Sequence, residues 1–395
     1  MPKRTIIIIS AVGALVLIIG TIIFFVLRNG GTTGGNGGGF FSNLFPGGGE
    51  RNIEEEGLKG TDPGGQEEKI FSQLTNFPIA GATAINTIST STKIAAPIRY
   101  VEKATGHIYE ISPQGKDRNR LSNTTILKIF ETFWSPDANK MVMRYFNEGV
   151  MSNFSAKFST STAAIEGIFL PQETIAVVVS PFENKVFYLQ QMENTTFGIL
   201  TDFTNKKKDN IFSLPFSEFN LTWPSKGIIA FATKPSSGAD GYLYFLDTKT
   251  KEFYKVIGKI KGLTASVSSK ANWVIYSRSV NKGFSTFVFN VKDKSSNNFG
   301  LTTLPEKCVW SKINSDVVFC AAPKTFPSVD YPDEWYQGLV SFDDAIWVIN
   351  VSTGETEILY DETNADVINP FLTADESHFL FTNKKDLTLW SLKIK

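Results

Sequence analysis

Two different hydrophobic patterns divide the chain. From Thr5 to Leu27 there is no charged residue, and the apolar run Ile6–Leu27 is 22 residues long. About 20 apolar residues in a helix are enough to cross a bilayer. From about Phe77 onward, apolar residues come in runs of four to six, separated by Pro, Gly, Asn and Asp. The first pattern predicts a membrane helix, and the second predicts strands joined by turns.

The flanking charges give the predicted helix an orientation. Lys3 and Arg4 precede it and Arg28 follows it, so the N-terminal side should stay in the cytoplasm. A cleaved signal peptide is the alternative, but its apolar region is about 7–15 residues and ends in a small-residue site. Here the run is longer and ends in Val-Leu-Arg-Asn. We therefore expect a cytoplasmic tail over residues 1–5 and an uncleaved signal anchor over residues 6–27.

The segment after the anchor is rich in glycine. It contains GGTTGGNGGG, PGGGE and DPGG. Because glycine loses the most backbone entropy on ordering, residues 28–75 should form a flexible tether. The strand-rich sequence that follows predicts one all-β domain over residues 76–395.

A repeat runs through this domain. Seven short apolar strands start at residues 98, 141, 186, 228, 274, 317 and 379, so their spacing is 42–46 residues except for the last, which is 62. A second strand follows each of them, and a third strand ending in a turn precedes six of them. Four strands in about 43 residues is the size of one β-propeller blade.

One repeat carries a recognisable motif. Trp134-Ser135-Pro136-Asp137, followed by Lys140-Met141-Val142-Met143, resembles the W-S-P-D-G repeat of TolB-type, WD40-like (PD40-type) β-propellers. The other turns match it in part, and none has the final Gly. The resemblance implies a β-propeller, and the seven repeats predict seven four-stranded blades, with six or eight as alternatives. Ile79–Ile88 is a candidate for the outer strand of the last blade, because strand exchange would close the ring.

The long spacing in the sixth repeat comes from an insertion, Pro323–Asp344, between the second and third strands of its blade. Its candidate binding residues are Tyr331, Asp333, Trp335, Tyr336, Asp343 and Asp344. Aromatic surface with polar atoms is typical of binding hot spots. The alternative is that Trp335 and Tyr336 fold back onto the disc, since large aromatic side chains tend to be buried.

The chain has two cysteines, and both flank one turn of the sixth repeat. If that hairpin centres on Asn314, Cys308 lies directly opposite Cys320, at a separation that a disulfide can bridge. Two buried free thiols are the alternative.

Charge and motifs exclude several functions. Lys+Arg and Asp+Glu are both 39, which argues against a general nucleic-acid binder. Two His and two Cys exclude a four-ligand zinc cage, and the insertion's acids lack calcium-loop spacing. No H-E-x-x-H, G-x-S-x-G or phosphate-loop motif occurs, so we predict no catalytic residue, metal or cofactor.

These observations predict a membrane-anchored, extracytoplasmic binding or scaffold module of the cell envelope. Its partner would be an envelope protein or polymer, held by the 323–344 insertion and the mouth of the central channel. The alternative is an anchored hydrolase or lyase that uses carboxylates in the channel. A purely architectural propeller is the third possibility, and it predicts that both Trp335 and Tyr336 are buried.

Overall fold

The computed structural model describes residues 69–85, 96–159 and 162–395, which belong to one compact unit, Glu67–Lys395. The predicted anchor and the linker up to residue 68 lie outside the described residues. Within those residues, no helix is both long enough and apolar enough to span a bilayer.

The apolar runs form 28 strands in seven four-stranded antiparallel sheets. The first strand, β1 (Phe71–Gln73), belongs to the last sheet. Blades one and two contain β2 (Ile79–Ala84), β3 (Ile98–Glu102), β4 (Ile108–Ile111), β5 (Asn119–Arg120), β6 (Ile129–Trp134), β7 (Lys140–Asn147), β8 (Val150–Ser159) and β9 (Ala164–Phe169). Blades three and four contain β10 (Thr174–Val179), β11 (Lys185–Met192), β12 (Thr195–Asp202), β13 (Asp209–Leu214), β14 (Phe219–Ser225), β15 (Ile228–Thr233), β16 (Asp240–Asp247) and β17 (Phe253–Lys261).

Blades five and six contain β18 (Thr264–Val267), β19 (Trp273–Val280), β20 (Gly283–Asn290), β21 (Ser296–Asn298), β22 (Cys308–Trp310), β23 (Val317–Pro323), β24 (Asp344–Asn350) and β25 (Thr356–Tyr360). Blade seven contains β26 (Val367–Leu372), β27 (His378–Asn383), β28 (Leu389–Lys393) and β1. The helical segments of the described residues are a 3-10 helix, Pro305–Lys307, and α1, Asp333–Tyr336. The predicted seven-bladed β-propeller is therefore confirmed.

Strand exchange closes the ring, because β1 pairs with β28 at the outer edge of blade seven. The prediction that Ile79–Ile88 supplies this strand is wrong. Ile79–Ala84 is instead the inner strand of blade one, where it pairs with β3. The closing strand is short, and its Phe71 ring stacks on Tyr360 and Trp390 at centroid distances of 4.7 and 4.9 Å. Aromatic packing therefore adds to the strand pairing of these three residues. A strand of three residues is too short to recognise in the sequence.

A recurring turn joins the first and second strands of the blades. Near the ends of three inner strands stand Trp134, Trp223 and Trp310. In the turn of blade two, the buried Ser135 hydroxyl accepts a hydrogen bond from the Lys140 backbone N–H at 2.9 Å. In blade five, the Ser268 hydroxyl accepts one from the Trp273 backbone N–H at the same distance. The glycine that the motif lacks is replaced by Ala138 and Ala271, whose φ angles are 52° and 56°. The turn thus keeps its left-handed residue and accepts the steric cost of a Cβ.

The antiparallel order gives the ring two different faces. The connections between blades and the loops between second and third strands share one face. We call it the insertion face, because it carries residues 324–343 between β23 and β24. The opposite face carries the turns between first and second strands. Ile70 also lies there, because its carbonyl accepts Lys393 N–H while Ile394 N–H bonds the turn residue Ser377.

Candidate functional site

A buried ionic cluster lies under the insertion. Lys307 ends the 3-10 helix, and its Nζ donates to Asp344 Oδ2 at 2.6 Å and Asp366 Oδ1 at 2.5 Å. All three side chains are fully buried. Burial raises the pKa of the Asp344 carboxyl, and the Lys307 charge opposes that rise. An ammonium between two buried carboxylates offsets much of their desolvation, so the three groups depend on one another.

The inner side of the insertion packs onto this cluster. Trp335 Nε1 donates to Asp366 Oδ2 at 3.0 Å, and the Phe342 backbone N–H donates to the same oxygen at 3.1 Å. The Trp335 ring stacks with Phe342 at 6.2 Å, and Lys307 Nζ lies 5.2 Å from the Trp335 ring centroid. These contacts make Trp335 a structural residue that holds the insertion against blade seven.

Further contacts tie the insertion to blades four and five. The Ser237 backbone N–H donates to Asp333 Oδ2 at 2.6 Å, and the Ser279 hydroxyl donates to the Tyr331 carbonyl. Gly262, with a φ of 62°, permits this approach, because a Cβ there would lie 1.8 Å from Ser279 Oγ. The insertion is therefore an ordered strap that spans blades four to seven.

The structure separates the six predicted binding residues into two groups. Tyr331, Trp335 and Asp344 are buried, so they are not available for direct contact with a partner. Asp333 and Asp343 are half-buried, and Asp343 pairs with Lys324 at 3.0 Å. Tyr336 is 43 % exposed. Of the aromatic pair, Trp335 is folded back onto the disc and Tyr336 lies at the surface.

A cavity of about 540 Å³ lies between the inner strands, and Tyr336 stands at its insertion-face end. Its walls come from blades two, three, four, five and seven, and include Phe133, Ile175, Leu221, Leu263 and Val267. Propeller channels are concave sites of the size that small ligands and side chains occupy.

Two carboxylates line the cavity, and they differ in their bonding partners. Glu131 Oε2 pairs with Arg144 at 2.9 Å. Glu306 accepts a hydrogen bond from the Tyr336 hydroxyl through Oε1, while its buried Oε2 lacks a hydrogen-bond partner. Burial raises the pKa of Glu306 to about 7, against the lowering effects of its own backbone N–H, of the Thr264 side chain and of the Lys307 charge. The cavity therefore contains one carboxyl group that titrates near neutral pH.

Cys308 and Cys320 are directly opposite each other in β22 and β23 and form a disulfide, with their Cα atoms 4.1 Å apart. The bond joins the first two strands of the blade that carries the insertion. No group of three or more His, Cys, Asp or Glu side chains in the described residues could hold a metal ion.

Sequence reasoning missed Glu306, Lys307, Asp366 and the Glu131–Arg144 pair. Glu306 and Lys307 lie in an unremarked Pro-Glu-Lys segment, and Asp366 lies 59 residues after Lys307. Only the closed ring brings these positions together. The positional signal available was that Glu306, Lys307 and Asp366 come just before inner strands and Glu131 lies in one, because inner strands converge on the axis.

No family model and no curated protein matches the sequence of this chain. Among solved structures, an oligogalacturonate lyase in complex with manganese shares 12 % identity over 82 % of this chain and 93 % of that chain, with a TM-score of 0.54. An oligogalacturonate lyase from Vibrio parahaemolyticus shares 11 % identity over the same two fractions, with a TM-score of 0.53. TolB from Acinetobacter baumannii shares 11 % identity over 74 % of this chain and 60 % of that chain, with a TM-score of 0.43. The two lyases show that the likeness is one of fold, and the class of this chain is therefore a seven-bladed β-propeller.

Proposed function

We propose that this chain is a membrane-anchored, extracytoplasmic binding module of the cell envelope. Residues 6–27 would anchor it with the N-terminus in the cytoplasm, residues 28–75 would tether it, and residues 76–395 would bind an envelope protein or polymer. The observation that carries the proposal is the open cavity on the insertion face, with an exposed tyrosine at its mouth.

Order in the insertion supports this role. Its inner side is held by buried hydrogen bonds, whereas Tyr336 and Leu339 project from its outer side and are 43 % and 68 % exposed. A surface that is already ordered loses little conformational entropy when a partner binds. Tyrosine also combines apolar area with a hydroxyl, which is why it is frequent in binding hot spots.

Photo-crosslinking in living cells tests the proposal. A photoreactive residue at position 339 should capture a defined partner, whereas the same residue at position 313, on the opposite face, should not. Leu339 and Ile313 are matched controls because each is 68 % exposed. Tyr336→Ala should reduce capture at position 339. Equal capture at both positions, or none at either, contradicts the proposal. A reporter fused after Lys395 should be active only if the propeller is outside the cytoplasm.

An anchored hydrolase or lyase is the second candidate, and one observation favours it. Burial in the cavity raises the pKa of Glu306 to about 7, a value that suits a general acid or base. An enzyme that uses the channel carboxylates should lose turnover when Glu306 or Glu131 is changed to Gln. If purified protein releases no product from envelope polysaccharides or peptides, this candidate is excluded for those substrates.

A further inference from the structure

The charged side chains that line the central cavity differ in whether they pair with a group of opposite charge. Arg144 donates to Glu131 Oε2 at 2.9 Å and to Asn153 Oδ1 at 3.0 Å, so its guanidinium is already occupied. Lys234 pairs with Glu218. The remaining charged group of the lining is Glu306, whose Oε2 atom is buried without a hydrogen bond.

The lysine next to Glu306 compensates this carboxylate only in part, because it makes no direct contact with it. Lys307 Nζ is held by Asp344 and Asp366 on the other side of the 3-10 helix. A buried carboxylate that lacks a cation is unfavourable, and a bound cation would remove that cost.

The walls and the mouth of the cavity fit the rest of such a ligand. Phe133, Ile175, Leu221, Leu263 and Val267 offer an apolar lining that suits a straight alkyl chain. The exposed Tyr336 ring stands beside Glu306, where a cation can lie against an aromatic face.

We propose that the cavity receives an alkylammonium or alkylguanidinium group, so that the partner of the insertion face presents a lysine or arginine side chain to Glu306. This inference rests on the proposed function and names the chemistry of its partner. The alkyl stem lies along the apolar walls, and the cation bonds Glu306 Oε2.

Small probes test the site directly. Methyl NMR of Ile175, Leu263 and Val267 would follow titration of purified residues 69–395 or the full chain in detergent with n-butylammonium, n-butylguanidinium, n-butanol, butyrate or glucosamine. The two alkyl cations should shift these methyl signals at concentrations at least about tenfold lower than butanol, butyrate or glucosamine. Equal binding of butanol would overturn the inference, because the site would then be merely apolar. Preferential binding of butyrate would assign an anion site at Arg144 instead.

Variants and pH identify the carboxylate. Glu306→Gln should weaken n-butylammonium binding at least about tenfold, whereas Glu357→Gln, on the exposed outer strand of blade six, should leave it unchanged. The amine stays protonated up to about pH 10, so the wild-type association constant should rise about tenfold from pH 6 to pH 8 as Glu306 ionises. Glu306→Gln should abolish this rise. Unchanged binding in Glu306→Gln, with a thermal unfolding curve that shows a folded protein, would overturn the inference.

The crosslinking experiment separates this inference from the proposed function. If position 339 captures a partner equally well with Glu306→Gln, the binding module stands and the cation site fails. If position 339 captures nothing in the wild type, the proposed function itself fails.

Discussion

The two sides of the insertion in blade six are built on opposite physical rules. On the inner side, Lys307, Asp344 and Asp366 are fully buried and mutually bonded, and Trp335 closes over them. On the outer side, Tyr336 remains exposed and its hydroxyl donates to Glu306 in the cavity, whose buried Oε2 has no hydrogen-bond partner. Two consecutive residues, Glu306 and Lys307, thus belong to the two sides. The comparison teaches that the inner side holds the insertion in place, whereas the outer side keeps an exposed aromatic ring beside a carboxylate oxygen that has no hydrogen-bond partner.

The largest effect should come from breaking the inner side. Lys307→Ala leaves two buried carboxylates without their cation, so we expect a loss of about 3–5 kcal/mol in the free energy of unfolding. Urea unfolding of the purified propeller would measure it. Lys282→Ala is the control, because Lys282 also binds the insertion, through Asp330 at 2.5 Å, but is exposed. That change should cost much less than Lys307→Ala, because an ion pair in solvent contributes little to stability. Similar losses in both variants would contradict the distinction between the two sides.

A milder change tests the contribution of one hydrogen bond on the inner side. Trp335→Phe keeps an aromatic ring but removes the Nε1 donor to Asp366. A hydrogen bond to a charged group contributes about 1.5–3 kcal/mol, and we expect a loss near 2 kcal/mol in the same unfolding assay. Hydrogen exchange should rise at the Phe342 amide, which donates to the same oxygen. No change in stability or exchange would show that the insertion is held by ring packing instead.

The free energy of unfolding that depends on Glu306 should fall as pH rises. A carboxylate paired with a cation shows the opposite dependence on pH. Because the pKa of Glu306 is raised to about 7 in the folded protein, the folded state binds this proton more tightly than the unfolded state. Its contribution to stability is therefore present at low pH and is lost as pH rises towards 7. Glu306→Gln should stabilise the protein by about 1 kcal/mol at pH 8, after allowance for solvent screening, and by little at pH 5. Thermal unfolding at both values measures the difference, and a variant less stable at pH 8 would contradict the assignment.

The smallest effect on stability should come from the most exposed residue of the outer side. Leu339 is 68 % exposed, so Leu339→Ala should change the free energy of unfolding by no more than about 0.5 kcal/mol. Its effect should appear in partner capture instead. A loss of more than about 1.5 kcal/mol in the free energy of unfolding, approaching that of a core truncation, would show that Leu339 is packed like a residue of the inner side.

The architecture was predictable because it depends on neighbours in the chain. The repeat spacing, the period of apolar residues and the Ser-containing turns each describe contacts within one blade, such as Ser135 with Lys140. The opposition of Cys308 and Cys320 follows from the centre of a single hairpin. The closing strand was missed because its three residues, Phe71–Gln73, carry too little pattern and take their stability from distant aromatic rings.

The division of the insertion into inner and outer sides was not predictable. Composition marks Trp335 and Tyr336 as equally suitable for burial or binding, and they are adjacent in a four-residue helix. The two residues differ in their contact with Asp366. This residue lies in the connection between blades six and seven, and it accepts a hydrogen bond from Trp335 but not from Tyr336.

By itself, the sequence determined a ring of seven repeated sheets, the blade that carries the extra loop, and the opposition of the two cysteines, because local turn chemistry and strand periodicity act over a few residues. Only the tertiary structure decided that Lys307 is buried and Glu306 faces a cavity. Ring closure determines both properties, because burial and charge pairing depend on residues of different blades that meet only at the axis.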